Sequence, residues 1–263
     1  MAVRCFLDLS YDGTAYHGWQ RQPESISVQQ VLEERLSNLL NKETTVVGCG
    51  RTDTGVHASS YFAHFEWIGE FGPRFSDWGQ GCWKLNGMLP TDIGVRRIFE
   101  VSEKDHARFS AAERAYTYWV HTAKDPFLQG RSARVYEDLD LNAMNAAAEM
   151  LVFRGEFDAF QKTGGGQKTT LCDVRLAEWT RTEPYRLRFD ISADRFLRNM
   201  VRAIVGTLLE IGKGRMAPEA MAEVIASKDR ARAGTLRLHV VCTFHAWIIP
   251  SSLERSRNHR HHL

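Results

Sequence analysis

The sequence predicts a mixed α+β chain made of two α/β halves with mostly antiparallel sheet. Three observations carry that expectation. Strand-like runs follow one another in hairpin fashion rather than in strict βαβα alternation. Several longer segments place apolar residues at the three- and four-residue spacing of a half-buried helix. At 263 residues, 43% apolar and 25% charged, the chain has the size of two small domains and enough apolar material for a core, which excludes global disorder.

The first half opens on Val3-Arg4-Cys5-Phe6-Leu7-Asp8-Leu9, an alternating strand. A Gly-rich polar loop follows, from Tyr11-Asp12-Gly13 to Gly18-Trp19-Gln20-Arg21-Gln22-Pro23. Ser27 and Gln30 have capping-box spacing, with Ile26 placed to staple onto Val31, and Val28, Val31, Leu32, Leu36, Leu39 and Leu40 make one apolar stripe. Strands are expected at Thr44–Gly48 and Tyr61–Trp67, and a turn and strand over Pro90–Val101, with Gly69–Gly81 as a surface excursion. In the second half, strands are expected at Tyr116–His121 and Leu187–Ile191, and helices at Leu141–Phe153, Arg195–Ile211 and Pro218–Ala226. The boundary is placed at residues 105/106. The halves show no sequence repeat.

Composition narrows the function classes. No apolar run approaches the roughly 20 residues of a membrane span, and an early aspartate, Asp8, interrupts the N-terminal segment where a secretory signal would be apolar. Five scattered cysteines without a Cys-x-x-Cys pair argue against a disulfide framework or a zinc site. A cytoplasmic protein with no metal is therefore expected. The net charge of +2 is uninformative, because only a clustered basic surface bears on nucleic acid.

Asp53 lies in Gly50-Arg51-Thr52-Asp53-Thr54-Gly55-Val56-His57, a tight loop between strands. Its carboxylate could simply satisfy local N–H groups, as Asx-turns do. The adjacent cation of Arg51 and the low steric bulk of the loop favour a ligand-facing role. Asp-Thr-Gly also occurs in aspartic peptidases, which need two carboxylates sharing a proton, so this chain would need a dimer to supply the second. Gly164-Gly165-Gly166-Gln167-Lys168-Thr169 lacks the Gly-Lys-Thr order of a phosphate loop and reads as a connector. If residues 195–211 are helical, Arg195, Arg198 and Arg202 share one side, either a solvated face or an anion-facing edge. Arg202 sits deep in apolar sequence, where an unpaired cation is costly, so a carboxylate partner is expected. Tyr116 and Tyr118 alternate on a strand among Arg108 and Arg114, which fits core packing or base stacking.

Taken together, these segments resemble the bacterial tRNA pseudouridine synthase A family. The likeness runs in order through Tyr11-Asp12-Gly13, Gly18-Trp19-Gln20-Arg21-Gln22, Ser27-Val28-Gln29 and Gly50–His57. It continues through Asn86-Gly87-Met88-Leu89-Pro90, Arg108-Phe109-Ser110-Ala111, Arg114-Ala115-Tyr116-Thr117-Tyr118 and Phe196–Gly206. The resemblance implies the pseudouridine synthase fold, with two halves joined around a central basic cleft, and a homodimer that binds tRNA. It implies isomerisation of uridine to pseudouridine at positions 38, 39 and 40 of the anticodon stem-loop, with no cofactor. By motif position Asp53 is the catalytic aspartate, Tyr116 the active-site tyrosine and Arg202 the arginine paired with the aspartate. Arg51 and Arg21 match basic residues of the cleft and its mobile loop. The pattern lapses over residues 235–247, through divergence or a local frame error. A catalytically silent RNA-binding module and a dimeric aspartic peptidase are the competing readings.

Overall fold

The computed structural model describes residues 2–162, 169–234 and 242–248. The Gly-rich stretch at 163–168, most of the segment where the motif pattern lapses, and residues 249–263 lie outside the described residues. Contacts divide the chain into two units, Met1–Ala112 with the residues from Phe244, and Glu113–Thr243. The division thus follows Ala112 rather than residue 105, and most of the last strand joins the first unit.

In the first unit, β1 (Val3–Tyr11) pairs antiparallel with β3 (His57–Trp67) on one side and β4 (Ile93–Val101) on the other. Val3 faces Trp67 in one register, and Arg4 faces Val101 in the other. A two-residue strand, β2 (Val47–Gly48), adds to β3. Helix α1 (Val28–Leu40) begins at Ser27, whose hydroxyl accepts from Gln30 N at 3.2 Å as its spacing predicts. The staple does not form, because Ile26 is 58% exposed. The expected one-sided burial does not hold: Cys5, Phe6, Leu7, Asp8 and Leu9 are all buried, so both faces of β1 are covered, and register shifts at Asp8/Leu9 and Leu9/Tyr11 interrupt its alternation.

The expected excursion at Gly69–Gly81 ends in an unforeseen helix, α2 (Trp78–Met88), capped by Asp77. Gly79 and Gly81 blur its apolar stripe, and Phe71, Phe75, Trp67 and Trp78 instead form an aromatic cluster at its start. Asn86 on α2 clamps the edge strand: it accepts from Val95 N at 2.8 Å and donates to Val95 O at 2.7 Å.

In the second unit, β5 (Ala111–His121), β9 (Arg186–Ala193), β8 (Leu171–Glu183) and β7 (Arg154–Glu156) follow one another antiparallel. A short β6 (Ala133–Arg134) runs parallel to β5. Strand β8 was not expected, because a register shift between Val174 and Leu176 breaks its alternation. Tyr118, Val120, Leu187, Phe189, Ile191 and Trp179 are buried with α3 (Leu141–Glu149) and α4 (Met200–Gly212). Asn145 on α3 repeats the device of Asn86, bonding Trp179 N at 2.8 Å and Trp179 O at 2.9 Å. Helix α5 (Ala220–Ser227) follows. The expected helix at Arg195–Ile211 starts five residues late. Asn199 takes φ +66, a left-handed conformation that halts the helix on its N-terminal side, so Arg195 and Arg198 do not share a helical face with Arg202. Finally β10 (Cys242–Ile248) places Ser60 Oγ 3.4 Å from Ala246 O and Ser59 Oγ 2.6 Å from His245 Nδ1.

The segment after β4 is held on the first sheet by buried His64. Its Nδ1 accepts from Ala107 N at 3.1 Å, Phe6 stacks on one side of the ring at 5.8 Å, and His106 meets it edge-on at 4.6 Å. An Nδ1 that accepts must be unprotonated. Burial, with the nearby His106 and Arg4, pushes the His64 pKa down to about 4. A lowered folded-state pKa on a base means that the unfolded chain binds more protons, so this contribution is full above about pH 6.5 and is lost as pH falls toward 4. We predict that up to about 2–3 kcal/mol of stability disappears across that window. His64→Asn, which keeps an acceptor but cannot titrate, should flatten it in urea melts run as a function of pH; an unchanged slope would remove His64 as the cause.

Candidate active site

The Asp53 loop is defined by backbone packing before any side chain acts. Gly18 adopts φ +83, and a Cβ there would lie 2.2 Å from Thr52 O; a Cβ on Gly13 would lie 2.0 Å from Val56 O. The loop after β1 therefore touches the Asp53 loop through bare main chain at both ends. Trp19 N donates to Thr52 O at 3.3 Å and Gly55 N to Tyr16 O at 3.2 Å. Val56 N closes a turn onto Asp53 O at 3.1 Å, with Gly55 at φ +78.

Thr52 is the anchor. It is buried, and its hydroxyl shares a 2.9 Å hydrogen bond with Tyr11 Oη. Burial raises the Tyr11 pKa, the Thr52 bond opposing it, so this contact stays neutral. Beneath lies a box of rings, with Trp19 stacked on Tyr61 at 4.2 Å and Tyr11 edge-on to Tyr61 at 5.6 Å. The Tyr61 hydroxyl donates to Gly50 O. With Thr52 turned inward, Arg51, Asp53 and Thr54 are exposed. The local Asx-turn reading of Asp53 is thus not needed to explain the loop, because main-chain and Thr52 bonds already hold it.

Arg21 sits on a small hairpin marked by the Gln22–Ser25 bridge. Its N–H donates to Gln29 Oε1 at 2.9 Å, and its guanidinium reaches Glu33 Oε2 at 3.2 Å while staying more than half exposed. Glu33 is buried and also accepts from Val46 N at 3.0 Å, so one carboxylate on α1 ties this loop to the segment before β2.

In the second unit, Tyr116 faces Ile191 across β5 and β9, with its ring edge-on to Phe196 at 5.2 Å. Arg114 Nη1 donates to Asp194 O at 2.7 Å, and the Asp194 carboxylate accepts from Asp173 N at 2.8 Å. Arg202 is half-buried in the first turn of α4. Its charge bears on buried Tyr118, whose pKa is raised by burial and by Cys242 and drawn back by Arg202. Arg51, Asp53 and Arg21 thus belong to the first unit, Tyr116 and Arg202 to the second. Sequence reasoning missed the anchoring roles of Thr52, Glu33 and Tyr61. The adjacency of Gly18 and Trp19 was the available signal, since a glycine beside a large ring marks a close approach.

The interlock gives a prediction. Gly18→Ala introduces both a disfavoured φ and a clash with Thr52 O. It should cost about 1–3 kcal/mol of stability, as strained backbone positions do. It should also depress kcat well beyond the fraction unfolded; a variant with wild-type kcat would show that loop position is unimportant.

Comparisons with known proteins agree with the motif order. A family model described as tRNA pseudouridine synthase matches residues 147–245, running through the stretch where the motif pattern lapses. The tRNA pseudouridine synthase A of Bacteroides fragilis is 46% identical over 232 residues, covering 88% of this chain and 90% of that protein. That of Bacteroides thetaiotaomicron is 47% identical over 234 residues, covering 88% and 85%. The tRNA pseudouridine synthase A 2 of Clostridium perfringens is 38% identical, covering 87% and 92%. A solved Cbf5-Nop10-Gar1 complex aligns with 91% of this chain and 57% of that chain at 9% identity, with a TM-score of 0.34. With identities of this size over nearly nine-tenths of its length, the chain belongs to the tRNA pseudouridine synthase A family and is an isomerase acting on tRNA.

Proposed function

We propose that the chain converts uridine to pseudouridine at positions 38, 39 and 40 in the anticodon stem-loop of tRNA, with Asp53 as nucleophile. The observation that carries the catalytic assignment is the Asp53 loop, which exposes a carboxylate on a backbone fixed by Thr52, Gly13 and Gly18. The reaction breaks the N1–C1′ bond, turns the uracil and joins C5 to C1′; the proton on C5 is released to solvent and N1 takes up a proton in its place, so the product is an isomer of the substrate. It imports no group and changes no oxidation state, so the chemistry calls for no cofactor. Asp53 acts by adding to C1′ or to uracil C6; removal of the C2′ proton is the alternative route for the same carboxylate.

The target base is inaccessible in a stacked stem and must be flipped out, which costs a few kcal/mol. Cationic contacts to the phosphates and a ring against the base offset that cost. Arg51 and Arg21 are assigned the phosphate contacts, Tyr116 the base, and Arg202 the permanent cation that steadies the catalytic carboxylate. A cytoplasmic homodimer is part of the same reading.

Asp53→Asn should keep the fold and tRNA affinity while abolishing tritium release from tRNA carrying C5-labelled uridine, assayed with EDTA and no added cofactor. Arg202→Met should lose about 100-fold or more in single-turnover rate, in the range of a lost transition-state contact, and Arg202→Lys should restore part of it. Release by Asp53→Asn would refute the nucleophile. Tight binding without release by the wild type would favour the silent RNA-binding module, and pepstatin-sensitive peptide cleavage the peptidase.

Affinity for tRNA should fall steeply with salt, because Arg21, Arg51, Arg108, Arg114, Arg198 and Arg202 would displace condensed counterions. Six such contacts imply a loss of roughly a thousandfold between 50 and 200 mM salt. A filter-binding series that stays nearly flat would rule out a phosphate-dominated interface.

A further inference from the structure

Seven buried side-chain polar atoms among the described residues have no hydrogen-bond partner. Four of them belong to one patch of the second unit: Ser132 Oγ, His121 Nδ1, Arg134 Nε and Arg186 Nε. The register explains the clustering. His121 on β5 faces Arg134 on β6 and Arg186 on β9, so the three side chains stand abreast on one side of three neighbouring strands. Ser132 lies just before β6, two residues from Arg134. Orphaned buried donors are rare in folded proteins, and several at one place call for an account.

The patch is also framed by rings. The Arg186 guanidinium lies 4.2 Å from the Trp119 ring centroid, and that of Arg134 lies 4.6 Å from the ring of Tyr136, which is 78% exposed. Arg186 has a long ion pair to Glu183 at 3.5 Å; Arg134 has none among the described residues. His121 is 4% exposed. Burial, with Arg134 and Arg186 beside it, pulls its pKa below the ordinary value against the opposing pull of Asp125. Two guanidiniums therefore stand beside the ring, with the Asp125 carboxylate opposing them and Glu183 paired to one of them.

We propose that His121, Arg134 and Arg186 form a phosphate-binding site, with Trp119 and Tyr136 as walls for an attached nucleoside. Two guanidiniums and an imidazole offer the donors that phosphate oxygens take, and guanidiniums pair with them in forked geometry. Aromatic rings beside cations are the surface on which nucleobases stack. The phosphate can come from an RNA backbone or from a free nucleotide; both present the same group. The site is separate in sequence and in elements from Asp53 and does not depend on the catalytic assignment.

The test is calorimetric titration of the full-length protein with inorganic phosphate, uridine monophosphate and unmodified tRNA, comparing wild type, Arg134→Gln, Arg134→Lys and Asp53→Asn. Phosphate and the nucleotide should bind the wild type and Asp53→Asn equally, and bind Arg134→Gln about tenfold more weakly, the scale of one lost charge-assisted contact. Arg134→Lys should fall between them. Thermal melting should show Arg134→Gln close to wild type in stability, because the arginine it removes has no ion pair among the described residues and gives up only its contact with the exposed Tyr136 ring. If the phosphate belongs to RNA, Arg134→Gln raises the tRNA KM at least threefold and leaves kcat alone. If it belongs to a free nucleotide, the tRNA KM stays fixed while nucleotide binding weakens. Equal phosphate affinity in wild type and in both Arg134 variants overturns the proposal, as does the absence of phosphate binding to the wild type. Should Arg134→Gln fail to fold, the comparison of Arg134→Lys with Tyr136→Ala decides in its place. Loss of self-association with unchanged phosphate binding would assign the face to a second copy of the chain and also overturn it.

Discussion

The site in the first unit depends on two places where main chain touches main chain without a side chain between them. Gly13 and Gly18 bring the loop after β1 against the carbonyls of Val56 and Thr52, at separations that admit no Cβ. Everything that positions Asp53 follows from this. The Trp19 N–H reaches Thr52 O, the Tyr16 carbonyl receives Gly55 N, and Thr52 is pressed inward to meet Tyr11. A loop fixed through its own amides needs no help from its functional side chains. Arg51 and Asp53 are thus left exposed, as the proposed catalytic reading requires. That separation of support from function is what a preorganised site requires.

A second constraint recurs in both units. Asn86 and Asn145 each bond the N–H and the C=O of one strand residue, Val95 and Trp179, and so join a helix to a sheet with two directed bonds. Apolar packing alone leaves a helix able to slide by a fraction of a turn; a paired amide does not, because its donor and acceptor must both align. Glu33 plays the corresponding part for loops, holding Val46 N and Arg21 from a single buried position. Asn86, Asn145 and Glu33 therefore fix register and position, which apolar packing alone leaves less defined.

The same contrast explains what was legible in the sequence. Strand β1, helix α1 and the Ser27 cap follow from local pattern, and the motif order alone indicated the family. What escaped depended on contacts made far along the chain. Helix α2 carries three glycines and is held by Asn86 and an aromatic cluster, neither visible as a stripe. Strand β8 has a shift that destroys its alternation. The late start of α4 rests on one left-handed residue, Asn199, of a type that tolerates that conformation more readily than most. The residues proposed for the site, Asp53, Arg51 and Arg21 in the first unit and Tyr116 and Arg202 in the second, stood in readable motifs. Thr52 did not stand out, because its value lies in a hydroxyl meeting Tyr11, 41 residues away.

Leaving Asp53 and Arg51 exposed also has an energetic consequence. A charge buried during folding must be stabilised by partners in every molecule at all times. A charge at an exposed position carries less of that penalty, and on the proposed reading the rest of its desolvation is deferred to the moment when substrate covers it. Binding energy from the rest of a large substrate can then offset that penalty together with the cost of extruding the base. A tRNA, with many phosphates distant from the reacting uridine, supplies binding energy on that scale through displaced counterions. The rigid loop makes the arrangement effective: little of that energy is spent ordering the backbone that carries the carboxylate, so more remains for moving the base.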